Sequence, residues 1–338
     1  MEAVRVGVIG LGTFGEVHLK AYSGMPGAEV IGICDLDEER LCTAGDEYGV
    51  AARFTDYREL LAMDGLDAVS VVTPDFTHTD IVVAAVEQGR AVLVEKPLAT
   101  TLEDCERIGE ALRRNPVPFM VDFHNRWNPG VYRIKEAAEA GQIGPVQMAY
   151  HRLSDTIFVP TRMLSWAARS SINWFLGSHC LDTLRWIIGG DVTRVYSTSE
   201  SRVLRAKGVD TPDYVLSIVE FAGGARAVIE TCWILPESSP TVVDFKLEVV
   251  GETGTFYYDP MPERLLRLTP DEIACVDTHA CVDIQGRTVG FAVESIRNFA
   301  ECVRTGRRPA VGFEDGRQVT RTVLAMEQSA REGRPVEL

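Results

Sequence analysis

The sequence predicts an α/β protein of two domains: an N-terminal doubly wound parallel sheet, then an α/β domain with a large, open, mainly antiparallel sheet. Over the first 120 residues, short apolar runs alternate with amphipathic segments, which is typical of a parallel sheet covered by helices on both faces. After the turn-rich segment Gly141-Gln-Ile-Gly-Pro145, longer runs of alternating polarity follow one another, and Gly223-Gly224 indicates a hairpin between two of them. With 338 residues, the chain can bury two cores.

The apolar periodicity gives the expected elements in chain order. In the first domain we expect strands at 4–9, 29–34, 52–54, 68–72, 91–94 and 117–121, and helices at 13–24, 37–48, 57–63, 77–88 and 102–114. In the second we expect strands at 146–153, 192–203, 213–222, 225–233, 243–250 and 254–258, and helices from Pro129 onwards and at 175–188, 290–305 and 313–332. The predicted domain boundaries are 1–122 and 123–338, with a C-terminal helix that can pack back on the first domain.

A glycine-rich loop follows the first strand. Gly10 permits a tight turn, Gly12 lets the backbone approach a pyrophosphate, and Gly15 lets the next helix pack closely. Asp35 ends the second strand, where its carboxylate can accept hydrogen bonds from ribose hydroxyls and would repel a 2′-phosphate. The pattern predicts a dinucleotide-binding Rossmann domain that prefers NAD to NADP, although Asp35 could instead only cap the next helix. The predicted cofactor contacts are Gly10, Gly12, Thr13, Phe14, Gly15 and Asp35.

Composition excludes several classes of partner. The chain has 34 basic and 49 acidic residues, a net charge of −15, which disfavours nucleic acid and anionic membrane surfaces. No apolar run is long enough for a membrane helix, and the first strand starts too early for a signal peptide, so we expect a cytoplasmic protein. The eight cysteines form no C-x-x-C pair and are interpreted as core residues, and we expect no metal.

The segment Val94-Glu-Lys-Pro97 ends a central strand at the same edge of the sheet as the glycine loop. An ammonium group there can hydrogen-bond a substrate hydroxyl and stabilise the developing alkoxide. Pro97 restricts the backbone of Lys96 to extended geometry. Because Lys96 lies between this proline and an apolar strand, a catalytic lysine is favoured over a solvated surface lysine.

The chain resembles the glucose–fructose oxidoreductase and inositol dehydrogenase family over nearly its whole length. The resemblance rests on the glycine loop, Thr73-Pro74 followed by His78, Glu95-Lys96-Pro97, and Gly177-Ser-His179. It implies hydride transfer at a sugar or polyol carbon, with Lys96 on the reacting hydroxyl and His179 as proton acceptor. It also implies cofactor contacts from Thr73, Pro74, His78, Glu95 and Lys96.

One departure from the family affects the substrate site. Many members have an aspartate four residues before the histidine, where this chain has Phe175. Asn173 and Asp182 are the nearest polar substitutes, although Asp182 could instead hold His179 as a core histidine. Further substrate-site candidates are His124, Arg126 and Trp166; Arg126 could equally form an interdomain ion pair, and Trp166 could be a packing residue.

We therefore expect an NAD-dependent oxidoreductase that acts on a sugar, inositol or related polyol. Two alternatives remain: a glycoside-cleaving enzyme that recycles its own NAD, and a non-catalytic NAD-binding regulator of the same fold. Alternating residues such as Val215, Ser217, Val219 and Phe221 also suggest that a homo-oligomer forms through the C-terminal sheet, with a solvated sheet face as the alternative.

Overall fold

The computed structural model describes residues 2–260, 265–269 and 273–338. The chain divides into two compact units. The first holds residues 2–128 and His279–Arg317, and the second holds the described residues of Pro129–Thr278 and Gln318–Leu338. A parallel sheet in the first unit and a mixed, mostly antiparallel sheet in the second confirm the predicted α/β fold class.

The first unit is a Rossmann-type sheet with helices between its strands. Its strands are β1 (Val4–Ile9), β2 (Ala28–Cys34), β3 (Arg53–Phe54), β4 (Ala68–Val71), β5 (Ala91–Glu95) and β6 (Phe119–Asp122). Its helices are α1 (Thr13–Ser23), α2 (Glu38–Glu47), α3 (Tyr57–Leu61), α4 (His78–Glu87) and α5 (Leu102–Arg114). Helix capping matches the local sequence, since Asp37 accepts hydrogen bonds from the first amides of α2 and Thr101 from that of Asp104 in α5.

The strand order positions the cofactor loops. The parallel strands run β3-β2-β1-β4-β5-β6, so the order reverses between β1 and β4. Strands β1, β4, β5 and β6 therefore deliver the residues that follow them to one edge of the sheet. In a doubly wound fold, ligands bind at this edge and near this reversal.

The second unit is built on a seven-stranded sheet. The elements that follow β6 in the chain are α6 (Pro129–Glu139), β7 (Val146–Thr156), α7 (Ser178–Ile188), β8 (Val192–Glu200), α8 (Val203–Ala206), β9 (Tyr214–Phe221), β10 (Arg226–Leu235), β11 (Val243–Gly251), β12 (Thr255–Tyr258), β13 (Leu265–Leu268), β14 (Ile273–Val276), β15 (Val282–Ile284), β16 (Arg287–Val289), α9 (Phe291–Thr305), α10 (Phe313–Glu332) and β17 (Val336–Glu337). Of these, β15, β16 and α9 belong to the first unit. The sheet order is β12-β11-β7-β10-β9-β8-β17, with β7 and β10 parallel and the other pairs antiparallel. Val215, Ser217, Val219 and Phe221 form a buried face, while Leu216 and Ile218 point the other way and are exposed.

One expected strand is shorter in the structure, and one interpretation of the cysteines has to be corrected. The strand expected at 192–203 ends at Glu200, because Asp213 accepts hydrogen bonds from the amides of Arg202, Val203 and Leu204 and thereby starts the short helix α8. The interpretation of all cysteines as core residues is wrong for Cys42, which is exposed on α2, and three others are only half-buried: Cys232, Cys275 and Cys281. No helix in the described part of the chain is both long and apolar enough to span a membrane.

Candidate functional site

The glycine loop forms a cradle open to a ligand. Gly10 has φ +95°, and a side chain there would overlap the carbonyl of Val72; one at Gly15 would overlap the carbonyl of Gly10. A Cβ on Gly12 would meet no atom of the described residues within 4 Å. The N-cap of α1 is Gly12, which has no side chain to bond the first amides of this helix. Free helix amides beside an open glycine are suited to a pyrophosphate, so the loop fits NAD.

Asp35 is joined to the glycine loop. Its Oδ2 accepts a hydrogen bond of 2.7 Å from the amide of Leu11, and its Oδ1 accepts one of 2.9 Å from Asp37. Asp37, and not Asp35, caps α2 through Glu39 and Arg40. The alternative in which Asp35 only caps that helix is therefore wrong. A carboxylate held beside the loop suits ribose hydroxyls, which supports the same cofactor.

Lys96 lies directly after β5. Glu95 and Lys96 are 6% and 7% exposed, and the Lys96 amide donates to Glu95 Oε2 at 3.2 Å. The next peptide bond, to Pro97, is cis. The lysine is therefore a buried residue at the ligand-binding edge, not a solvated surface residue.

His78 links two loops at this edge. Its Nδ1 lies 2.8 Å from the carbonyl oxygen of Pro97, and its Nε2 lies 2.9 Å from that of Thr73. The Thr77 hydroxyl lies 2.8 Å from Thr73 Oγ1 and 2.6 Å from the carbonyl oxygen of Pro74. His78 thus holds the Thr73-Pro74 loop to the segment that follows Lys96.

A buried cluster of His18, Glu95 and Asp122 lies beneath the same edge. Glu95 and Asp122 are register partners on β5 and β6. His18 Nε2 on α1 lies 3.2 Å from Glu95 Oε1 and 3.9 Å from Asp122 Oδ2. Burial and repulsion from Glu95 raise the pKa of Asp122 well above its usual range. Burial alone would raise the pKa of Glu95, but the hydrogen bond with His18 and the ammonium of Lys96 hold it below the usual value.

The segment after β6 supplies two of the expected substrate residues. His124 lies between aromatic rings, with its centroid 6.1 Å from Phe14 and 5.8 Å from Phe291. Burial lowers the pKa of His124 to about 4, so the ring is uncharged at neutral pH. The Arg126 guanidinium bonds Asp315 Oδ1 at 2.9 Å. Both partners of this ion pair lie in the first unit.

The second unit holds the other expected residues. His179 and Asp182 lie on α7 and are 5% and 0% exposed. Asn173 lies in a π-helical turn, Asn173–Gly177, directly before α7 and is 2% exposed. Its Oδ1 is buried with no hydrogen-bond partner among the described residues. A substrate hydroxyl is a donor that could satisfy this oxygen.

Phe175 belongs to an aromatic cluster. Its ring centroid lies 6.3 Å from that of Trp166 and 5.7 Å from that of Trp233. The Trp233 indole donates to Asp155 Oδ2 at 3.2 Å, in the buried end of β7. The position that is an aspartate in many family members is therefore used for packing here.

Three of the residues beneath Lys96 were not predicted from the sequence: His18, Tyr22 and Ser70. His18 and Tyr22 lie four residues apart on α1 and are both fully buried. A histidine and a tyrosine at this spacing on the apolar face of the helix after the glycine loop were the available signal.

Two models of one protein family together match nearly the whole chain. Residues 4–123 match the model of the oxidoreductase family with an NAD-binding Rossmann fold, and residues 135–338 match the C-terminal alpha/beta domain of the same family. The scyllo-inositol 2-dehydrogenase (NAD(+)) of Bacillus subtilis is 28% identical, over 99% of this chain and 96% of that protein. The D-apiose dehydrogenase of Paraburkholderia graminis is 30% identical, over 98% of this chain and 88% of its own length.

Solved structures share the fold. The myo-inositol 2-dehydrogenase from Lactobacillus plantarum superposes with a TM-score of 0.87 over 100% of both chains, at 21% identity. Because both domain models match and together cover nearly the whole sequence, the chain belongs to the glucose–fructose oxidoreductase and inositol dehydrogenase family of oxidoreductases.

Proposed function

We propose that this protein is an NAD-dependent dehydrogenase that transfers a hydride between a hydroxyl-bearing carbon of an inositol, sugar or related polyol and the nicotinamide. The observation that carries the proposal is Lys96, buried at the edge where the glycine loop opens. The names of the relatives, inositol and apiose dehydrogenases, support a polyol or sugar as substrate.

The first unit would hold the cofactor. The amides at the start of α1 suit the pyrophosphate, Asp35 suits the adenosine ribose, and the loops at Thr73-Pro74 and Glu95-Lys96 lie at the same sheet edge. When bound, NAD supplies a hydride acceptor. We assign the first unit to cofactor binding and the second to substrate binding.

The acid–base chemistry would fall to two side chains. Lys96 donates a hydrogen bond to the reacting oxygen and stabilises negative charge that develops there. His179 accepts the hydroxyl proton, for which imidazole is suited because its ordinary pKa, roughly 6.5, is near neutral pH. Asn173 and Asp182 would bind further hydroxyls, and Asn173 Oδ1 still needs a donor within the described residues.

The test is the absorbance of reduced nicotinamide when purified protein meets NAD, and separately NADP, with a panel of inositols, aldoses, sugar acids and glycosides. We expect growth with NAD and one class of polyol. Lys96→Ala should leave NAD binding nearly intact and remove most turnover, whereas Lys207→Ala, at an exposed position, should leave both unchanged. Product release from glycosides without net reduction would indicate the glycoside-cleaving alternative, and NAD binding without any turnover would indicate the regulator.

We further propose a homo-oligomer that covers the open face of the seven-stranded sheet. Tyr196, Ile218 and Val228 are register neighbours on β8, β9 and β10 and are 42%, 45% and 39% exposed. A row of apolar side chains across three strands favours a second copy over solvent. Sedimentation should give a dimer or larger species, and Ile218→Lys should dissociate it. A monomeric wild-type protein would contradict the proposal.

No disulfide joins the eight cysteines, all of which lie in described residues. This supports a reducing compartment, and we propose the cytoplasm.

A further inference from the structure

A continuous chain of hydrogen bonds runs through the interior of the first unit to the backbone of Lys96. The Tyr22 hydroxyl lies 2.7 Å from Ser70 Oγ, and Ser70 Oγ lies 3.0 Å from His18 Nδ1. His18 Nε2 lies 3.2 Å from Glu95 Oε1, and Glu95 Oε2 accepts from the Lys96 amide at 3.2 Å. Tyr22, Ser70 and His18 have no exposed surface.

Only one orientation of protons uses every donor in this chain. If His18 is neutral with its proton on Nε2, Tyr22 donates to Ser70, Ser70 donates to His18, and His18 donates to Glu95. A doubly protonated ring would donate to Ser70 and turn the Ser70 proton towards Tyr22. The Tyr22 proton would then have no acceptor among the described residues. Burial also raises the pKa of Tyr22, so the phenol keeps its proton.

Asp122 lies beside this chain, and its surroundings indicate where its proton is. Asp122 is 1% exposed, and burial and repulsion from its register partner Glu95 raise its pKa, against the smaller opposing effects of a hydrogen bond with Ser295 and of Lys96. Asp122 Oδ1 is buried with no partner among the described residues, which is less costly for a neutral acid than for a carboxylate.

We propose that Asp122 is kept as a neutral carboxylic acid, so that Glu95 is the single carboxylate of the cluster and is oriented by Tyr22, Ser70 and His18 to hold Lys96 in place. These are positioning residues, because the hydrogen bond by which this chain of groups reaches Lys96 is the one to its backbone amide. The proposal rests on the proposed function for its kinetic consequence, and its protonation states are independent of it.

The arrangement has a reason in charge balance. Two ionised carboxylates as adjacent register partners in a buried sheet would repel one another and attract the ammonium of Lys96 inwards. With Asp122 neutral, the negative charge of Glu95 and the positive charge of the Lys96 ammonium cancel. Glu95 also forms hydrogen bonds with His18 and with the Lys96 amide.

Spectroscopy tests the protonation states without any turnover. Infrared difference spectra of wild type against Asp122→Asn at neutral pH should show the loss of a carboxylic-acid C=O band. Nitrogen-detected NMR of the histidine rings should show a neutral ring protonated on Nε2, and this signal should shift in Ser70→Ala. A carboxylate band at Asp122, an imidazolium at His18, or a stoichiometric divalent metal that is lost in Asp122→Asn would overturn the proposal.

Kinetics tests the positioning role. Asp122→Asn keeps a neutral side chain of the same shape that can still hydrogen-bond Ser295, so kcat should stay within about threefold of wild type, whereas Asp122→Ala should lose more. Tyr22→Phe and Ser70→Ala should each lower kcat about fivefold, the value of one hydrogen bond, with the Kd for NAD unchanged. Tyr48→Phe is the matched control, because the Tyr48 hydroxyl is buried with no partner among the described residues.

The kinetic outcomes separate the two proposals. An active wild type with equal losses in Asp122→Asn and Asp122→Ala, or with unchanged kcat in both Tyr22→Phe and Ser70→Ala, would refute the positioning role alone. A wild type without turnover on any polyol would refute the proposed function, and the spectroscopic result would then decide the protonation states.

Discussion

Gly12→Ala should separate cofactor binding from folding. Gly12 has φ −69° and ψ −166°, which alanine adopts readily, and its added methyl group would meet no described atom within 4 Å. We therefore expect the free energy of unfolding of the cofactor-free protein to change by less than about 1 kcal/mol. The methyl group would occupy the space through which a pyrophosphate approaches the backbone. The Kd for NAD should rise at least about tenfold, or about 1.4 kcal/mol.

Two other glycines provide controls for this prediction. Gly15→Ala would overlap the carbonyl of Gly10, so it should destabilise the protein itself by about 2 kcal/mol. Gly223→Ala, in a hairpin turn with open space around it, should change neither stability nor binding. Urea unfolding and calorimetric titration with NAD measure both quantities. A folded Gly12→Ala protein that binds NAD with unchanged Kd would refute the assignment of the loop.

Three further predictions concern individual side chains. Burial lowers the pKa of His151 to about 4. Between this value and the ordinary histidine pKa, the folded protein therefore binds fewer protons than the unfolded chain. The free energy of unfolding then decreases as the pH falls through this window. Between pH 7 and pH 5 the loss from His151 should be about 2 kcal/mol, and urea unfolding of His151→Leu should lack this contribution. Asp213→Ala should cost about 3 kcal/mol in urea unfolding, because three backbone amides lose their acceptor; an effect below about 1 kcal/mol would contradict this account of α8. Asp35→Ala should weaken NAD binding and reduce its preference over NADP in titration, and an unchanged ratio would count against its ribose role.

Most of the first unit could be predicted from local sequence. The helix expected at 102–114 has these bounds in the structure, and β1 has those of the strand expected at 4–9. Apolar periodicity and capping residues act over a few positions, so a single sequence carries them. The glycine loop could also be predicted from local sequence. Glycine is required there by the tight turn and by the close packing of the helix that follows it.

Other elements depend on partners that are distant in the chain. Helix α8 forms because Asp213, nine to eleven residues further on, accepts hydrogen bonds from its first amides. The π-helical turn at Asn173–Gly177 precedes α7 where a simple helix was expected. Arg126 bonds Asp315, 189 residues away, and sequence alone could not distinguish this pair from a substrate contact.

The sequence by itself determined the α/β class, the open glycine cradle, the carboxylate at the end of β2 and the lysine after β5, because each depends on residues close together in the chain. Tertiary structure alone decided that His18, Glu95 and Asp122 meet, since they come from one helix and two strands. It also decided that Phe175 packs between two tryptophans. Protonation and packing depend on which buried groups come within a few ångströms of one another, and folding sets those distances.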